Sequence, residues 1–269
     1  MPLTLSAGFT SRFESKIFKD TTNSNNILVM DVSPPTLGEE VLNEEVLLGD
    51  DSEVLRNMAH AVPPPFPPVH GPVQILIFGD SFVRRLNVFM NQRYGGYHNY
   101  NLDYAVAEVH TYGISGLTCT RALSHHMDVF YNIRPTVVFI QLGSNDLCEA
   151  DMDMHVTIAN FMELGRQLVN LGVRRILYGQ VLMRHGPGLP LAVPDYNDRV
   201  LTLNHEIWSS LPTTMMPSYF WRHRGFWLSQ FSLMDNDGIH LNQRGCNRFF
   251  RSVRGGLLLA LSSLNNTLV

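Results

Sequence analysis

Ser81 stands where four apolar residues, "ILIF" (75–78), pass through Gly79-Asp80 into "FVRRLNVFMNQ" (82–92), a stretch with helical spacing. A hydroxyl at such a junction can cap the helix or act as a nucleophile. As a nucleophile it is weak until a base takes its proton. Histidine is the usual base near neutral pH, and a carboxylate holds its ring in the required tautomer. Asp237 and His240 are three residues apart, so one turn of chain can bring carboxylate and imidazole together. The charge that develops on an attacked carbonyl oxygen also needs donors fixed in advance, each contributing about 3–4 kcal/mol of transition-state stabilisation. Gly116 can present its backbone N–H with no side chain in the way, and Asn145 can offer its amide. Ser81, at a helix start, can add its own N–H with help from the helix dipole.

These residues fall in four short segments: "GDS" (79–81), "GISGLT" (113–118), "GSND" (143–146) and "DGIH" (237–240). In this order they resemble the blocks of the SGNH (GDSL-type) hydrolase family, through "FGDS", "GISG", "LGSND" and "DGIHLN..G". The resemblance covers about residues 73–262 and rests on order and position after strands, since each block alone is short. It implies Ser81 as nucleophile, His240 as base and Asp237 as its orienter. It also implies Ser81 N–H, Gly116 N–H and the Asn145 side chain as the oxyanion hole, with no metal and no cofactor. One departure stands out. Many family members carry a small or hydroxyl residue soon after "GDS" and often a Gly further on, whereas here Phe82, Val83, Arg84 and Arg85 follow. No G-x-S-x-G elbow is present. "DNDGIHLNQR" is not a calcium loop either: with Gly238 at the sixth position, Leu233 and Arg244 occupy the first and twelfth, where acidic residues are needed.

The elements that must position these residues alternate between strand and helix. "VQILIF" (73–78) is a continuous apolar run, as expected of a parallel strand buried on both faces. Further strands fit 103–112, 136–142, 173–182 and about 217–221. Helices fit 118–131, then 151–171 with Asp151 as N-cap, then 195–211, and a last helix interrupted at Gly255-Gly256. Alternation of this kind predicts an α/β three-layer sandwich with a five-stranded parallel sheet, in the flavodoxin-like order that the family resemblance implies. In such sheets ligands bind beyond the carboxyl ends of the strands, where the first three blocks fall.

Residues 1–72 read differently from the rest. They hold ten acidic and four basic side chains and end in the proline-rich "VPPPFPPVHGP", so a largely disordered acidic tail is expected. Residues 73–262 form the expected hydrolase-like domain and 263–269 a C-terminal tail. The net charge of −4 gives no reason to expect nucleic acid as a partner. Arg12, Glu14, Lys16 and Lys19 interrupt any signal-peptide core, and no stretch approaches the roughly 20 apolar residues of a membrane span. The expectation is a soluble, cytoplasmic protein whose partner is a small-molecule, glycan or lipid ester. The acidic tail could recruit a further partner.

Several readings stay open. Every basic residue after Lys19 is Arg, and Arg84 and Arg85, one helical turn beyond Ser81, could meet an anionic substrate group or simply face solvent. "YFWRHRGFW" (219–227) could line a substrate site, or it could be a final strand burying Phe220 and Trp227. "LMRHGPG" (182–188) reads as a loop at the pocket rim. Asp80 and Asp146 read as supports for their loops. For the whole domain the reading is a serine esterase acting through an acyl-enzyme, against an SGNH-fold binding or scaffolding module with weak or lost catalysis.

Overall fold

A computed structural model of the chain describes residues 71–94, 98–211, 218–226 and 231–265. The acidic tail and Trp227 lie outside the described residues. Five parallel strands form one sheet: β1 (Val73–Gly79), β2 (Ala107–Gly113), β3 (Val137–Gln141), β4 (Arg175–Gly179) and β5 (Ser218–Trp221), in spatial order β2-β1-β3-β4-β5. Helices are α1 (Ser81–Tyr94), α2 (Cys119–His125), α3 (Asp128–Ile133), α4 (Met154–Asn170), α5 (Val193–Ser210) and α6 (Gln243–Asn265).

The unbroken apolar run in β1 follows from burial on both faces. Ile75 and Ile77 pack with Phe82, Leu86 and Met90 of α1 and with Phe249, Val253 and Leu257 of α6. Leu76 and Phe78 point the other way, into a second core built with residues of α2, α3, α4 and α5. The predicted three-layer sandwich is therefore observed, with α1 and α6 covering one face and the other four helices the opposite one.

Several boundaries differ from expectation. The strand expected from 103 starts at Ala107, because the Asp103 carboxylate accepts the Ala105 N–H at 2.9 Å and its carbonyl takes the Val106 and Ala107 N–H groups, making a turn. The helix expected over 118–131 is two, broken at His126, which has left helical dihedrals at φ −130°. Asp153, not Asp151, caps α4, since its Oδ1 accepts the N–H groups of His155 and Val156. The last helix runs uninterrupted through Gly255-Gly256. These glycines permit close packing rather than a break: a Cβ on Gly256 would come within 3.1–3.2 Å of Leu177, Phe139 and Trp221. α6 thus lies directly on the sheet.

β2 borders the sheet, and its outer edge is occupied by a side chain. Asn99 donates from Nδ2 to Ala107 O at 2.7 Å and accepts the Val109 N–H on Oδ1 at 2.8 Å, the two bonds a neighbouring strand would make.

Candidate active site

The strand order places β1 beside both β2 and β3, so the chain reverses direction of winding at β1/β3, where the crevice of this sheet type opens. The three loops leaving β1, β2 and β3 are laced together there. Asp80 N–H donates to Gln141 O at 3.0 Å, and Ile114 N–H to Gly79 O at 3.0 Å. Gly79 allows this approach, because a Cβ there would overlap Gln141 O and the Val83 side chain. Asn145 Nδ2 donates to Leu117 O at 3.0 Å, and Asp146 Oδ1 accepts the Cys119 N–H at 2.8 Å. Gly116, at φ +72°, lies in the loop so held, exposed at its surface.

Ser81 is the first residue of α1 and is 6% exposed. It does not cap the helix. That work falls to Asp80, whose Oδ1 accepts the Phe82 N–H at 2.9 Å while its carbonyl accepts the Arg84 N–H at 3.1 Å. Ser81 is therefore free of the capping role that the sequence left open to it.

Asp237 and His240 meet as their spacing predicts. His240 Nδ1 lies 2.7 Å from Asp237 Oδ2, and Asp237 Oδ1 accepts the N–H groups of both Ile239 and His240 at 2.8 Å. Burial acts to raise the Asp237 pKa, but the hydrogen bonds from His240 and Ile239 outweigh it and hold it at about 2. An ionised carboxylate can only accept, so Nδ1 carries the ring proton and Nε2 is the basic nitrogen. The His240 ring packs beside Phe82, the residue after Ser81, with ring centroids 6.4 Å apart.

The turn bearing Asp237 and His240 is held from β4. Beyond Gly179 the chain leaves the sheet, which is why the strand ends short of the expected 182. Two asparagines of α5 then pair with its backbone. Asn204 accepts from Val181 N–H and donates to Val181 O, at 2.8 and 2.9 Å. Asn197 does the same for Arg184, at 3.1 and 2.9 Å. His185 N–H then donates to Gly238 O at 2.9 Å, and Gly186 packs on Gly238. Gly186 of "LMRHGPG" thus packs directly against the turn that bears Asp237 and His240.

Arg184 escaped the sequence reading altogether. It is 4% exposed, and its guanidinium lies 5.4 Å from the Phe82 ring and 5.6 Å from the Tyr196 ring. Burial raises the Asp80 pKa to about 6, aided by Asp146 and opposed by the Phe82 N–H, Arg184 and Ser144. Burial likewise raises Asp146 to about 6, with Glu149 adding to the effect and hydrogen bonds opposing it. No local pattern marks Arg184, which meets the Asp80–Phe82 turn only through the fold.

Within the segment 219–226, His223 and Phe226 are interior residues. His223 is buried, with Nε2 2.8 Å from Gln141 Oε1 and Nδ1 3.0 Å from Ser252 Oγ, and burial lowers its pKa to about 3. Among the described residues no group of three or more His, Cys, Asp or Glu side chains is arranged to hold a metal. Among them, too, no helix is long and apolar enough to cross a membrane.

No protein-family model matches the chain, and no curated protein matches it in sequence. Solved structures do share its fold. A Bacteroides fragilis protein assigned as an acylhydrolase superposes with a TM-score of 0.55 at 15% identity, over 80% of this chain and 100% of its own. A GDSL-like lipase from Bacteroides thetaiotaomicron gives 0.54 at 16%, over 78% and 97%. The fold is the α/β sandwich of these two structures, in agreement with the fold that the resemblance of the four blocks implies.

Proposed function

We propose that this protein is a serine esterase that hydrolyses a carboxylic ester or acetyl group through an acyl-enzyme. The observation that carries the reading is the His240–Asp237 pair: a carboxylate fixed by two backbone N–H groups orients an imidazole whose Nε2 is left as the base. In the proposed cycle His240 Nε2 takes the Ser81 proton while Oγ attacks the ester carbonyl carbon. The oxyanion forms against the Ser81 N–H, the Gly116 N–H and the Asn145 amide. Collapse breaks the bond to the alcohol, which leaves with the proton from His240. Water then gives a proton to His240 and attacks the acyl carbon, and release of Ser81 with that proton closes the cycle. All these groups lie between residues 81 and 240 of the chain, so the reading calls on no residue of the tail.

The experiment is Ser81→Ala in the full chain. Wild type is expected to hydrolyse short p-nitrophenyl esters and to label with a fluorophosphonate, and the variant to keep its circular dichroism while losing both. Equal turnover by variant and wild type would remove the proposal. Failure of wild type to turn over esters or to label would favour the binding-module reading.

A further inference from the structure

Two exposed guanidinium groups flank the mouth of this site. Arg84 lies one turn beyond Ser81 on α1, and its Nη1 donates to Ser115 Oγ at 3.0 Å. Arg121, on α2, donates from Nη1 to Gly116 O at 3.2 Å. Ser115 and Gly116 are consecutive and exposed, and they belong to the loop that carries the proposed oxyanion donor. A Cβ built on Gly116 would have Arg121 Nη1 within 4.0 Å, so the side-chain face of this glycine is uncrowded and bordered by positive charge. Neither guanidinium is ion-paired among the described residues, where the salt bridges are Arg166–Glu163 and His240–Asp237. Each keeps donors beyond the one engaged with the loop, since a guanidinium has five N–H groups. Arg84 also walls a groove of about 470 Å³ whose lining is mixed, with Arg85 and Asp235 beside Val88, Phe89 and Leu241, a size suited to the rest of a small substrate.

The geometry points to an ester that carries an anionic group, a carboxylate or a phosphate, close to the scissile carbonyl, with Arg84 and Arg121 as its receptors. This rests on the esterase reading above and adds the substrate class to it. The loop positions the two cations by one hydrogen bond each, and planar guanidinium suits the oxygen pairs of these anions better than an ammonium would. Val88, Phe89 and Leu241 give the uncharged remainder of the molecule apolar contacts within this mixed groove.

The test compares matched esters that differ in one charge. One pair, 4-acetoxybenzoate and its methyl ester, places the anion on the alcohol side. The other, monophenyl adipate and its methyl ester, places it on the acyl side, with phenol release as the readout. In wild type the anionic member of at least one pair is expected to have the higher kcat/KM, by about tenfold, through a lower KM. That ratio should shrink as salt screens the exposed cations. It should fall to near one in the Arg84→Gln/Arg121→Gln double variant and be largely restored in Arg84→Lys/Arg121→Lys. A ratio that is near one in wild type, or unchanged in the Gln variant, overturns the proposal while leaving the esterase intact. No turnover of any of the four esters overturns the esterase reading and this one together.

Discussion

Gly186 and Gly238 cross backbone against backbone: a Cβ on Gly186 would overlap Asp237 O, and one on Gly238 would overlap Gly186 itself. Gly238 also sits at φ +63°, which side chains disfavour. Gly186→Ala and Gly238→Ala are therefore expected to push the Asp237–His240 turn off the β4 loop. Each should lower stability by about 1–3 kcal/mol in urea unfolding. Ester turnover should fall by more than tenfold in each. Full activity in either variant would show that the crossing does not position the turn.

Asp237→Asn keeps an oxygen for the Ile239 and His240 N–H groups, so the turn should persist. The amide then faces His240 Nδ1 as a donor, which moves the ring proton to Nε2 and removes the base. A fall in kcat of roughly 10⁴-fold with an unchanged fold is expected. The stability profile should change as well. In wild type the Asp237 pKa, lowered from 3.8 to about 2, contributes stability that is present above pH 4 and lost as pH falls through 2. Acid titration of the unfolding midpoint should show that component missing in the variant.

Asp80 behaves with the opposite sign. Its pKa is raised from 3.8 to about 6, so the folded protein holds a proton through that window that the unfolded chain gives up. Ionising Asp80 therefore costs stability as pH rises from 4 to 6, and the cost levels off above. Asp80→Asn, which preserves the acceptor for Phe82 N–H, should gain on wild type between pH 4.5 and 7.5. Arg184→Met should instead lose stability at pH 7.5, because it removes the positive charge that opposes the rise of the Asp80 pKa and the guanidinium packed on Phe82 and Tyr196. The Asp80→Asn/Arg184→Met double variant should recover part of that loss, which a double-mutant cycle in urea reads directly. Additive losses would show that the two groups are not coupled.

Asn197 and Asn204 each make two hydrogen bonds to one residue of the segment after β4. Their replacement by Ala should cost about 1–2 kcal/mol apiece in urea unfolding. Asn197→Ala, beside Arg184 and two residues from Gly186, should also lower kcat, whereas Asn204→Ala should leave kcat nearer wild type. Equal kcat in both would show that the segment is held independently of α5.

The alternation of strands and helices was legible because β1 and β3 are buried on both faces, and such strands write themselves as "ILIF" and "VVFI". The proximity of Asp237 to His240 was legible because it is local. Side chains that act across the fold were not. Nothing near Arg184 in sequence announces that it packs on Phe82, about a hundred residues earlier, and Asn197 and Asn204 look like ordinary polar positions of a helix. Gly255-Gly256 misled for a related reason. Locally two glycines weaken a helix, yet here Trp221 and Leu177 press so closely that small residues are what the packing requires. Asp153 rather than Asp151 caps α4, and only the observed N–H partners, His155 and Val156, identify it.

A sheet border is a template on which a second molecule can lay down its own strand. Along the outer rim of β2 that invitation is already withdrawn, since the Asn99 amide fills the ladder positions at Ala107 and Val109. The chain thus carries a one-residue guard against strand addition from this side, and Asn99→Ala would forfeit it.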